Sequence, residues 1–149
     1  MRTMVALIAV AATLLPVSAP AAAAKSRHPF HVSMLVIELG TAQSGTSTLV
    51  GIIKGTPLGP GTLRADVQPG TSEHRYAIEF FSELGTLKGA GTFVAAPQPD
   101  GTTTFTGTAR LTHGTGRFKN ATSARLKLAG TQTSGDTPVQ LELTGALSY

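Results

Sequence analysis

The chain has 149 residues, with 41% apolar, 13% charged and 5% aromatic side chains and a formal net charge of +4. That is one domain's worth of chain with enough apolar content to bury a core, so a disordered polyelectrolyte is excluded. It has no Cys, which removes disulfide scaffolds, thiol catalysis and thiolate metal sites.

Residues 1–24 read as a secretory signal peptide. Arg2 supplies the positive start, Met4 to Leu15 is nearly all apolar, and Ala22-Ala23-Ala24 fits the small-x-small cleavage pattern. As a helix, that apolar run rises only about 18 Å, short of the roughly 30 Å hydrocarbon core. A membrane anchor is therefore the weaker reading, and a secreted or extracytoplasmic location follows. No later segment has the length and hydropathy of a transmembrane helix. Residues 25–31, Lys-Ser-Arg-His-Pro-Phe-His, read as a flexible tail before a domain over 32–149.

Beyond the tail, period two dominates. Strands are predicted near 32–39, 48–54, 62–68, 73–82, 86–95, 102–112, 122–130 and 138–148. Met34–Leu39 and Val50–Ile53 are apolar on both faces apart from Glu38, and read as strands covered on both sides. Leu63, Ala65 and Val67 alternate with Arg64, Asp66 and Gln68. Thr103, Phe105, Gly107, Ala109 and Leu111 share a face, as do Val139, Leu141 and Leu143. Such alternation means one wet face. Pro57-Leu58-Gly59-Pro60-Gly61 reads as a rigid loop, Pro69-Gly70 as a type II turn, and Pro99-Asp100-Gly101 as a hairpin turn. Glu83-Leu84-Gly85 and Ser134-Gly135-Asp136 read as hairpin loops. Eleven of the 17 glycines precede Thr, a pairing that suits the step from turn to strand. Gly51, Gly89, Gly91, Gly107 and Gly145 fall inside strands, which favours a tightly curved barrel over a sandwich. The fold class is thus all-β: a single eight-stranded antiparallel β-barrel.

The most specific segment is His113-Gly114-Thr115-Gly116-Arg117-Phe118-Lys119-Asn120-Ala121. A strand follows it, so it is not a phosphate-cradling loop, which needs a helix there. With the upstream Asp100-Gly101-Thr102 and Phe105-Thr106-Gly107 it resembles the Gly-Thr-Gly-basic-Phe-x-x-Ala element of the allene oxide cyclase and dirigent proteins. The likeness spans some thirty residues. The chain departs from the pattern at His113 and Ser123, where glycine is common. The resemblance implies an eight-stranded barrel in which Phe118 and Ala121 plug the core. It also implies a cavity for a small hydrophobic or phenolic molecule, with no metal or organic cofactor, and either a non-catalytic holding role or cofactor-free cyclisation, isomerisation or stereochemical steering. None of that family's functional side chains can be placed on this sequence.

Catalytic candidates therefore come from chemistry alone. Glu38 and Glu79 sit in apolar strand stretches, where burial in a barrel would raise a carboxyl pKa; the competing reading is that both face water. Tyr76 is placed to donate a hydrogen bond from the same strand as Glu79. His28, His31, His74 and His113 form no metal-ligand pattern. Asn120-Ala121-Thr122 matches the three-residue glycosylation acceptor pattern.

Arg110, Arg117, Lys119, Arg125 and Lys127 form a run of cations with no acid between them. They read either as a solvated face or as a basic patch that contacts an anionic envelope surface. Sequence-specific nucleic-acid binding is not expected, because Phe118 is the only aromatic among them. A small outer-membrane barrel is a further alternative, since the chain ends on Tyr149 after an alternating strand. Against it stand only eight aromatics and the mid-strand charges Arg64, Asp66, Arg110, Arg125 and Lys127.

Overall fold

The computed structural model describes residues 25–135 and 137–149. Residues 1–24, read above as a signal peptide, and Asp136 of the last hairpin loop lie outside the described residues.

Among the described residues nine strands are formed: β1 Arg27–Thr41, β2 Ser47–Thr56, β3 Gly61–Gln68, β4 His74–Ser82, β5 Gly85–Pro97, β6 Thr103–Gly114, β7 Thr122–Ser123, β8 Leu126–Gln132 and β9 Val139–Ser148. A single 3-10 turn, Gly116–Phe118, precedes β7. Eight strands close antiparallel in the order β1-β2-β3-β4-β5-β6-β8-β9, and β9 pairs back onto β1. No edge of the main sheet is left open, which removes the hazard that an unpaired strand carries. The two-residue β7 pairs only with the end of β9, Thr122 against Ser148 and Ser123 against Leu147.

The alternation read from the sequence becomes the wall of this barrel. Phe30, Val32, Met34 and Val36 of β1 point inward, as do Leu63, Ala65 and Val67 of β3 and Tyr76, Ile78 and Phe80 of β4; all are buried. The core contains no buried polar or charged residue among those described. Between them on the outer face stand Arg64, Asp66, Glu79, Lys88, Arg110 and Lys127, in register with other outward positions.

Four expectations change. Residues 25–31 are not a free tail: from Arg27 they extend β1, pairing Arg27 with Ser148 and Phe30 with Gly145, and Phe30 is buried against Phe80. Burying that phenyl and closing the seam with β9 outweigh the polar look of His28, Pro29 and His31. The predicted strand over 122–130 is split, because Thr122–Ser123 follows β9 whereas Leu126–Gln132 joins β6. β1 and β2 are not covered outside: Leu39 is 64% and Ile52 61% exposed, and Leu35 and Ile37 are exposed too. Gly70 does not take the positive φ that a type II turn would need at its third position.

The two ends of the barrel differ, and this difference positions the site. At one end the β2–β3 loop inserts Leu58, and the 3-10 turn inserts Phe118 and Ala121, all essentially fully buried beside Leu87, Leu111, Leu126 and Leu147. The plug is tied down by backbone. Thr115 N–H donates to Thr86 O at 3.0 Å, Arg117 N–H to Leu84 O at 2.9 Å and Ala121 N–H to Phe118 O at 2.8 Å. Gly114 is required there, since a β-carbon would lie 2.3 Å from the carbonyl oxygen of Phe118. At Ser123 the side chain contributes a bond that glycine lacks: its Oγ accepts from Leu111 N–H at 2.8 Å. Tyr149 finishes this end, edge-on to Phe118 and stacked on His28.

Candidate functional site

The opposite end stays open. Inward side chains there keep a trace of exposure, 7% at Tyr76 and Leu128 and 9% at Val67, whereas those near the plug have none. Leu49, Phe93 and Leu141 are only partly buried. Inside this half lies an apolar cavity of about 70 Å³, bounded by Met34, Leu63, Ala65, Tyr76, Ile78 and Leu128 among others. No polar atom faces it, and such a cavity does not hold water well, because a buried water needs two to four polar partners.

The cavity leads to a mouth cleft of about 570 Å³. Val36, Leu49, Val67, Phe93, Phe105 and Val139 line both spaces and form the throat between them. Phe93 and Phe105 meet edge to face with centroids 5.9 Å apart, and His74 stacks on Phe93 at 4.9 Å. Glycines are the cross-strand partners of Tyr76 and Phe93. A β-carbon at Gly107 would come within 2.7 Å of Phe93, and one at Gly91 within 2.7 Å of the Tyr76 ring. The strand-interior glycines therefore make room for aromatic side chains as well as allowing curvature.

Polar groups are confined to the rim. Glu38 is the last inward position of β1, opposite Leu49, just before the register shifts at Gly40. It is exposed rather than buried. Thr41 Oγ1 donates to its Oε1 at 2.8 Å and in turn contacts Ser47 Oγ at 3.0 Å. Hydrogen bonding from Thr41 first, and from Ser47 second, holds its pKa below the usual carboxyl value and outweighs desolvation. The burial that would have raised its pKa does not occur, in keeping with the reading that it faces water, and at neutral pH Glu38 is a fixed anion, unsuited to acid catalysis. Gln132 Nε2 donates to Thr137 O at 2.8 Å and to Gly135 O at 3.2 Å at the rim.

The three catalytic candidates are not brought together. Tyr76 points into the barrel, and its hydroxyl donates to Thr108 O at 3.2 Å. Burial raises its pKa well above that of an ordinary phenol, so it stays protonated. Glu79 faces outward, where it accepts from Lys88 Nζ at 2.8 Å. The barrel wall separates it from Tyr76. Among the described residues no group of three His, Asp or Glu side chains is arranged to hold a metal ion.

The basic run is exposed throughout and lies toward the plugged end. Arg110 and Lys127 stand on the outer wall of β6 and β8. Arg117 lies over the Tyr149 ring, 5.8 Å from its centroid, and Lys119 follows the 3-10 turn.

Sequence reasoning found Tyr76 and Glu38 but missed Phe93, Phe105 and Gln132. The signal for the first two was present, since Phe105 shares a face with Ala109 and Leu111, and Gly107, the cross-strand partner of Phe93, lies on that same face. Nothing local distinguished Gln132. No family model, no curated protein and no solved structure matches this chain. Among the described residues no helix is long and apolar enough to cross a membrane.

Proposed function

We propose that the protein is an exported, non-catalytic cup that holds a small apolar or phenolic molecule. The observation that carries this reading is the asymmetry of the barrel: one end is sealed by Leu58, Phe118 and Ala121, while the other opens through an aromatic throat onto an apolar cavity. Eight strands enclose just enough space for one small ligand. Export rests on residues 1–24. A relationship to the allene oxide cyclase and dirigent barrels rests on the motif around Gly114-Thr115-Gly116 and agrees with the strand number.

A cofactor-free cyclase or isomerase has less support. Of its three candidates, only Tyr76 reaches the interior, and its hydroxyl is already bonded to backbone. An outer-membrane barrel also has less support, since the outer wall carries Arg64, Asp66, Glu79, Lys88 and Lys127 where lipid-facing strands are apolar.

The test is binding of Nile red, followed by its displacement with phenol or hexan-1-ol. Fluorescence enhancement that falls on displacement is expected. Ala65→Phe fills the cavity and should abolish the signal while the far-UV spectrum stays that of a β protein. No enhancement, or equal enhancement in Ala65→Phe, would sink the reading.

A further inference from the structure

The rim of the mouth has a one-sided hydrogen-bonding character. Both amide hydrogens of Gln132 are directed to Gly135 O and Thr137 O, so its Oε1 is the part left for an incoming group. The Thr137 hydroxyl donates to Ser134 O at 2.8 Å. The Thr41 hydroxyl donates to Glu38, and the single hydroxyl hydrogen of Ser47 is taken up within the same cluster, by Thr41 Oγ1 or by the Glu38 carboxylate. The side-chain donors of Gln132, Thr137, Thr41 and Ser47 are thus spent within the rim, and what remains are the acceptors Glu38 and Gln132 Oε1. Among the described residues lining the cleft, His74 is the one remaining side chain that can donate, and its ring is stacked on Phe93. Among the described residues lining the cleft, Glu38 carries the only fixed charge, and it is negative. Phe93 and Phe105 expose aromatic surface in the throat just below, which attracts cations through the ring quadrupole.

We propose that the molecule held in the barrel is a cationic amphiphile, a small apolar body with an amine head, whose ammonium group sits at the rim against Glu38 and Gln132 Oε1 above the rings of Phe93 and Phe105. This inference rests on the reading of the barrel as a cup. A carboxylate head would meet the Glu38 anion and find no cation among the described residues that line the cleft. A hydroxyl head would find acceptors but would gain neither ion pairing nor attraction to the rings.

Calorimetric titration of the purified protein with hexylamine, hexan-1-ol and hexanoate at pH 7 tests it, because the three share one apolar body. Hexylamine should bind about fivefold tighter than hexan-1-ol, the size expected for an exposed charge contact assisted by aromatic faces, and hexanoate should bind weakest. Glu38→Gln should bring the affinity for hexylamine down to about that for hexan-1-ol measured on the same variant, and a far-UV spectrum like the parent's shows that the variant folds. Equal binding of amine and alcohol, tighter binding of hexanoate, or an amine advantage that survives Glu38→Gln would overturn the proposal and leave the cup intact. Failure of all three to bind, together with no Nile red signal, would mean that the cup reading itself is wrong and the proposal with it.

Discussion

Tyr76 and Gly91 are cross-strand partners, and the tyrosine ring occupies the space a side chain at 91 would need. A β-carbon there would lie 2.7 Å from Tyr76 Cζ and Oη and 2.0 Å from the carbonyl oxygen of Thr108. The second contact is with backbone and cannot be relieved by a rotamer change. Gly91→Ala should therefore cost about 3 kcal/mol, the upper range for overpacking. Gly135→Ala, which meets nothing within 4 Å, serves as the control and should be nearly neutral. Urea unfolding of the two variants against the parent protein measures the difference. Similar midpoints for both would show that the β4–β5 seam yields more readily than the packing implies.

The same tyrosine sets an alkaline limit on stability. Burial raises its pKa in the folded protein, whereas in the unfolded chain the phenol titrates near 10. Between those values the unfolded chain releases a proton that the folded protein keeps, so stability falls as pH rises. The contribution is fully present below about pH 10 and declines above it. Tyr76→Phe removes the titration and should flatten the loss of melting temperature between pH 9 and pH 11. At pH 7 it should cost only about 1 kcal/mol, for the lost bond to Thr108 O. A parallel alkaline decline in both proteins would mean that other groups govern it.

Strand positions were legible because each inward residue is apolar and its neighbours are polar, as in Leu63-Arg64-Ala65-Asp66-Val67. The turn at Asp100 was legible because its chemistry is local: Asp100 Oδ1 accepts from Thr102 N–H at 2.9 Å and from its hydroxyl at 2.6 Å. What escaped was set by partners distant in sequence. Phe30 belongs to β1 because β9, more than a hundred residues on, pairs with it. Thr122 and Ser123 leave the β8 line because the end of β9 captures them. Leu35, Ile37 and Ile52 read as covered because their types are apolar, but which face they occupy depends on register. For the site, Glu38 could be named but not placed. Its position at the rim follows from the pairing with Leu49 and the register shift at Gly40.

The cations around the plugged end lead to the last prediction. We propose that this surface gives weak, salt-sensitive adhesion to anionic envelope polymers or lipid. Arg110 and Lys127 lie on adjacent strands of the outer wall, and Arg125 and Lys119 are exposed in the segment that leads from the plug into β8. Their combined field is screened over about 8–10 Å at physiological salt. Lys119, Arg125 and Lys127 make no hydrogen bond or ion pair to another described side chain, so replacing all three with Ser should leave the melting temperature nearly unchanged. The triple variant should elute earlier from an anionic resin and lose retention on vesicles rich in anionic lipid. Arg117→Ser differs in kind, because Arg117 lies over the Tyr149 ring that closes the plug. It should weaken retention and also cost up to about 1 kcal/mol of stability, the value of an exposed cation–π contact. Unchanged retention of the triple variant at low salt would show that these cations form an ordinary solvated surface.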